Sequence, residues 1–167
     1  MGAKSAKGWS RRALEARFDE KGYRMAQLRH IAIATKDPET TAAFYQKVFG
    51  LKFVKRVPDS PRGGGVFLSD GHINFAFLNY PSDEAADMVG GAVYEGLHHM
   101  GFQVEDLKEA NARLAGTDAE VLGDVVGSHH SFYFEQKVRG PHGIIMDMSS
   151  KGWDLEPPES TPPEKKA

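Results

Sequence analysis

The chain has no cysteine among its 167 residues. Disulfides, thiolate-held metals and cysteine nucleophiles are therefore excluded. No apolar run approaches the roughly 20 residues needed to span a bilayer. The polar stretch from Met1 to Gln27 lacks the apolar middle of a secretion signal, so a cytoplasmic location is the expectation. Net charge is also scarce, at −2. Neither nucleic acid nor an anionic membrane is therefore expected as a partner. Apolar residues at 40% and charged residues at 26% are ordinary for a soluble globular protein. The length allows one domain, or two small modules sharing a core.

All seven histidines lie between His30 and His142. Residues 1–26 are rich in Lys, Arg, Ala and Glu and read as a solvated or partner-packing arm. Within them, Ser10 to Arg24 can form a short helix, with Trp9, Leu14 and Phe18 on one side. Residues 151–167 end in a run of Pro, Glu and Lys too poor in apolar groups to offset ordering entropy. They are expected to form a disordered tail.

Between the tails lies an internal repeat. His30-Ile-Ala-Ile-Ala-Thr-Lys-Asp37 matches His99-Met-Gly-Phe-Gln-Val-Glu-Asp106 in character. Each is a strand-like run closed by an Asp suited to capping a helix. A helical segment follows each, Pro38–Gly50 and Leu107–Gly116, with Gly at the stop. Phe44 and Val48 fall four apart, on one helix face. Strands are then predicted over 51–57, 65–68 and 73–78, and again over 120–126, 131–137 and 144–149. Turn-like punctuation separates them. Gly63-Gly-Gly65 reads as a hairpin turn, because no Lys-Ser/Thr follows to make a phosphate loop. The pattern is α+β: two βαβββ modules, about 27–80 and 97–150, joined by a linker over 81–96.

Strand alternation picks out one face. His30, Ala32 and Ala34 oppose Ile31 and Ile33. His99, Gly101 and Gln103 oppose Met100, Phe102 and Val104. Ile145, Asp147 and Ser149 oppose Ile144, Met146 and Met148. The apolar sets should meet the helices, leaving His30, His99 and Asp147 on an open cup. A one-residue slip would turn every apolar side chain outward, so the register is strongly specified. A carboxylate flanked by Ile145, Met146 and Met148 is costly without a cation or another partner, and Arg139 is one available partner.

Three segments resemble the vicinal-oxygen-chelate superfamily of glyoxalase, bleomycin-resistance and extradiol dioxygenase proteins: Leu28-Arg-His-Ile-Ala-Ile-Ala, Leu97-His-His-Met-Gly-Phe-Gln-Val-Glu-Asp, and Gly140-Pro-His-Gly-Ile-Ile-Met-Asp-Met. That family also includes methylmalonyl-CoA epimerase. The resemblance implies a cupped mixed sheet, a homodimer, and one divalent metal held by His30, His99 and Asp147. The family's usual carboxylate is Glu; Asp147 is one methylene shorter. Many relatives have a fourth ligand on the fourth strand, where this chain has Ala76, or Asn74.

Two histidines and one carboxylate leave about three positions open on an octahedral metal. Fe(II) suits such a set; Mn, Zn, Ni and Co can also occupy it. His129-His-Ser-Phe-Tyr-Phe resembles the strand that carries the active-site tyrosine of extradiol enzymes, which implies Tyr133. The leading expectation is thus an Fe(II) dioxygenase, an oxidoreductase opening a catechol-like diol. Tyr133 would donate to substrate, and His72, or His129 and His130, would handle the phenolic proton. The runner-up is a metal-dependent lyase, isomerase or epimerase. A third reading is a non-catalytic binder of small hydrophobic molecules. His98 is expected to face away from the cup or to pack at an edge, and His142 to lie exposed in a turn.

Overall fold

Two Asp-capped helices and the strands around them repeat as the sequence predicts. The computed structural model describes residues 24–86, 90–126 and 135–157. The first unit runs β1 (Gln27–Ala34), α1 (Pro38–Phe49), β2 (Lys52–Val57), β3 (Gly64–Ser69) and β4 (Asn74–Asn79). After a one-turn helix α2 (Asp83–Ala86) inside the expected linker, the second runs β5 (Gly96–Gln103), α3 (Leu107–Leu114), β6 (Glu120–Val126), β7 (Glu135–Arg139) and β8 (Ile145–Ser149). A 3-10 turn at Pro141–Gly143 joins β7 to β8.

The helix ends follow from single residues. The Asp37 carboxylate accepts from the Thr40 backbone N–H at 2.9 Å, and Asp106 does the same for Glu109 at 2.9 Å. Gly50 ends α1 in the left-handed region at φ 69°, its N–H bonded to Gln46 O. α3 stops two residues before Gly116.

The strands form one eight-stranded sheet in the order β2-β3-β4-β1-β5-β8-β7-β6. β1 and β5 meet antiparallel at its centre, and each runs parallel to the last strand of its own unit. Two β-bulges interrupt the central pairing, one at Arg29 and the other at His98. Alternation then divides the sheet as expected. Ile33, Val66, Leu68, Phe75 and Phe77 pack beneath Ala42 and Tyr45 of α1, while His30 and Ala32, paired with Asn74 and Ala76, occupy the other face. Burying Phe77 and Leu68 completely contributes roughly 1.5–3 kcal/mol each.

The helix face shared by Phe44 and Val48 is exposed, at 53% for each; α1 docks through Ala42 and Tyr45, because the small Ala42 lets the helix approach the sheet closely. The expected disordered tail needs correcting, because the chain keeps its order beyond Ser150. Residues 151–157 pack back on the sheet, and the Trp153 ring, only 7% exposed, supplies the apolar area that the Pro/Glu/Lys run lacks. No helix among the described residues is long and apolar enough to cross a membrane.

Truncating Phe77→Ala should cost about 3–5 kcal/mol of folding free energy, whereas Phe44→Ala should cost about 0.5 kcal/mol or less. Urea unfolding midpoints of the two variants check the assignment of the helix face.

Candidate active site

The site grows from the β1–β5–β8 centre of the sheet. His30 on β1 and His99 on β5 come together with ring centroids 5.3 Å apart. Asp147 on β8, fully buried, brings Oδ2 to 3.2 Å from His99 Nε2. Gly101 makes this approach possible. A Cβ there would lie 2.7 Å from His30 Cβ and 2.6 Å from the Trp153 ring.

Hydrogen bonds fix which nitrogen of each imidazole is free. Asn74 donates through Nδ2 to the Asp154 carbonyl at 2.7 Å, which turns its Oδ1 toward His30 Nδ1 at 2.9 Å. His30 Nδ1 is therefore the donor, and Nε2 keeps its lone pair. On the other side, the Ala86 carbonyl can only accept, so His98 Nε2 donates to it at 3.0 Å. With one proton per ring, His98 Nδ1 then accepts from His99 Nδ1 at 2.8 Å, and His99 Nε2 keeps its lone pair. The bulge at His98 allows two consecutive imidazoles to meet in this way. His98 thus joins the site rather than facing away from it, with Tyr80 stacked on it at 4.8 Å.

Three further side chains complete the cup. Lys137, directly opposite Asp147 on β7, holds both carboxylate oxygens at 2.8 and 3.1 Å. Arg139, the partner considered for Asp147 from sequence, pairs with Glu120 at 2.6 Å. Glu135, two residues before Lys137, accepts from Trp153 Nε1 at 2.6 Å. Trp153 itself stacks on His30 with centroids 5.1 Å apart and planes 8° apart. Its segment is tied down by Asp154, whose carboxylate takes Lys55 at 2.9 Å.

Burial governs the charges. Loss of hydration lowers the His30 pKa to about 3; the Asn74 bond opposes this, and the Lys137 and Lys55 ammoniums add to it. His99 is likewise lowered well below the usual value by burial, then by Lys137 and its neighbouring histidines. Burial, then the charge of Asp147, pushes Glu135 up to about 7.

The arrangement offers two neutral imidazole lone pairs and one carboxylate. His99 Nε2 and Asp147 Oδ2 face each other as two acceptors, an arrangement that invites a cation. Their separation also suits adjacent donors on a metal bound at about 2.1 Å. The donor chemistry fits a divalent metal. Among the described residues no three His, Asp or Glu side chains already surround a common point, and Lys137 occupies the carboxylate. Ala76 offers no fourth ligand, and Asn74 serves His30 instead.

The structure therefore brings His30 beside His99 and His99 beside Asp147. His72 is not among them; it lies exposed in the β3–β4 turn, bonded through its backbone to Asp70 and Arg29. His142 is exposed in its turn, at φ 62°. Tyr133, His129 and His130 lie outside the described residues. Sequence reasoning missed Lys137, Glu135 and Trp153. Counting outward from the Pro141–Gly143 turn would have found Lys137, since residues equally distant from His142 face each other across the hairpin.

Residues 27–147 match the model of the glyoxalase/bleomycin resistance protein/dioxygenase superfamily. The chain belongs to that superfamily. An ethylmalonyl-CoA/methylmalonyl-CoA epimerase of Cereibacter sphaeroides is 31% identical over 113 residues, covering 63% of this chain and 83% of that one. Solved structures share the fold, two of them as follows. A hypothetical protein from Bacillus halodurans has 20% identity, TM-score 0.61, and coverage of 80% of this chain and 99% of its own. A Streptomyces coelicolor methylmalonyl-CoA epimerase variant, in complex with 2-nitronate-propionyl-CoA, has 20% identity, TM-score 0.55, and coverage of 78% and 99%.

The epimerase relative overturns the expectation of an extradiol dioxygenase and lends no support to the iron and oxidoreductase assignments. The physical reason is that ligand count does not diagnose the reaction. Open metal positions that accept a diol and dioxygen accept the oxygens of another chelating substrate equally well.

Metal-free protein should lose stability on acidification. The unfolded chain protonates both imidazoles near pH 6.5 while the folded chain leaves them neutral; folded Glu135 takes one proton between about 7 and 4.5, giving the opposite sign. Net, the unfolded state binds about one more proton, so stability should fall by about 1 kcal/mol per pH unit from 6.5 to 5. Urea unfolding across that range checks this, and His30→Asn should nearly level the dependence.

Proposed function

We propose that this chain is a metal-dependent isomerase that moves the proton on the carbon next to a thioester carbonyl, with a 2-substituted malonyl-CoA as substrate. The observation that carries the reading is the pair of tautomer-fixed imidazoles beside a buried carboxylate, in a chain 31% identical to an ethylmalonyl-CoA/methylmalonyl-CoA epimerase. His30, His99 and Asp147 would hold the metal, which supplies Lewis-acid polarisation of the carbonyl when bound.

The remaining chemistry belongs to the chain. Glu135, on the cup face with its pKa near 7, can accept the C2 proton and return it at neutral pH. The Trp153 indole N–H orients one of its oxygens. As Trp153 lies across His30, it also keeps bulk water from that imidazole and lowers the local dielectric. Inversion needs a second proton carrier on the opposite face of the carbanion. Tyr133, His129 and His130, just before Glu135 in the chain, are proposed to supply it. Two cavities flank the cluster: one of 600 Å3 bordered by Lys55, Gly71 and residues 153–157, and one of 260 Å3 bordered by residues 97–100 and 142–145. They give a long acyl-CoA two approaches.

Metal-loaded protein given one stereoisomer of methylmalonyl-CoA or ethylmalonyl-CoA in D2O should scramble C2 and place deuterium there, read by mass spectrometry and circular dichroism. His30→Ala or His99→Ala should lower kcat/KM by about 100-fold or more. Absence of C2 exchange in protein shown to carry metal would rule the reading out.

A further inference from the structure

We propose that Lys137 sets the metal affinity of this centre by competing with the incoming cation for Asp147. The inference rests on the reading of His30, His99 and Asp147 as a metal site, and adds a residue whose role is opposite to theirs. Three observations carry it. Lys137 is paired in register with Asp147 across the β7–β8 hairpin, so the contact is built into the sheet. Its ammonium engages both carboxylate oxygens, at 2.8 and 3.1 Å, the second being the oxygen that faces His99 Nε2. The two partners also differ in freedom: the Asp147 side chain is 0% exposed, whereas that of Lys137 is 24% exposed. The carboxylate is fixed and the ammonium has a way out.

A dication and an ammonium cannot both sit against one buried carboxylate without strong repulsion. Metal entry therefore takes the carboxylate from Lys137, whose flexible four-carbon stem can carry its charge toward solvent. Without metal, Lys137 spares the protein an uncompensated buried charge. With metal, it becomes a mobile cation at the rim of the cup. The affinity observed is the intrinsic affinity of the donors reduced by the work of expelling Lys137.

The test is metal binding, measured by calorimetry with Mn2+ and Zn2+ at fixed pH and salt. Lys137→Gln should bind at least tenfold tighter than the unaltered chain, and Lys137→Arg no tighter. A second measurement needs no variant. Reductive methylation followed by mass spectrometry should show Lys137 protected without metal and labelled faster once Mn2+ is added, with exposed Lys52 unchanged as the control. This labelling decides the matter if Lys137→Gln does not fold. Unchanged or weaker binding by Lys137→Gln, labelling indifferent to metal, or no metal binding by either protein would each overturn the proposal. The expected metal behaviour without any C2 exchange on acyl-CoA would leave it standing and remove only the epimerase reading.

Discussion

A carboxylate with no access to water sits near the middle of this sheet, and its need for compensation organises everything around it. Asp147 lies on β8, between β5 and β7. An unpaired anion there would cost several kcal/mol. The structure answers with the Lys137 ammonium, which engages both carboxylate oxygens, while His99 Nε2 faces Oδ2 as a neutral second acceptor. Both imidazoles remain neutral because burial and the nearby ammonium disfavour a further positive charge. The same charge balance that stabilises the sheet thus leaves two lone pairs free for a ligand.

Backbone irregularities bring these groups within reach of one another. A bulge at His98 lets consecutive histidines bond to each other, and the Ala86 carbonyl then fixes the proton on His99. Gly101 leaves the volume in which His30 and Trp153 stack. Asn74 links the two halves of the arrangement: its amide holds the backbone of the C-terminal segment and its carbonyl orients His30. The residues that present the imidazoles are therefore the ones that anchor the segment covering them. Outer partners of this kind fix the tautomer and orientation of an imidazole, and in metal sites their loss typically costs about 10- to 100-fold in affinity or activity.

The superfamily supports many reactions on one sheet, and the reaction is decided by what surrounds the donors. Here the surroundings are a carboxyl group with its pKa near 7, an ammonium on the shared carboxylate, and an indole over one imidazole. Such groups suit moving a proton and stabilising negative charge. Of the three, only the Glu135 carboxyl is poised to exchange a proton near neutrality.

Much of the fold was legible in the sequence because it depends on local rules. The Asp37 and Asp106 caps, the Gly50 stop and the period-2 alternation each act over a few residues, and the βαβββ repeat follows from them. His30, His99 and Asp147 could be placed on one face for the same reason. Tertiary structure alone decided how the donors are finished. The His98 bulge, the return of Trp153 across more than a hundred residues to His30, and the expulsion of Phe44 from the core each depend on distant elements meeting. No local period encodes such meetings. The sequence by itself determined which side chains share a face; only packing determined which of them carry protons, which carry charge, and which cover the rest.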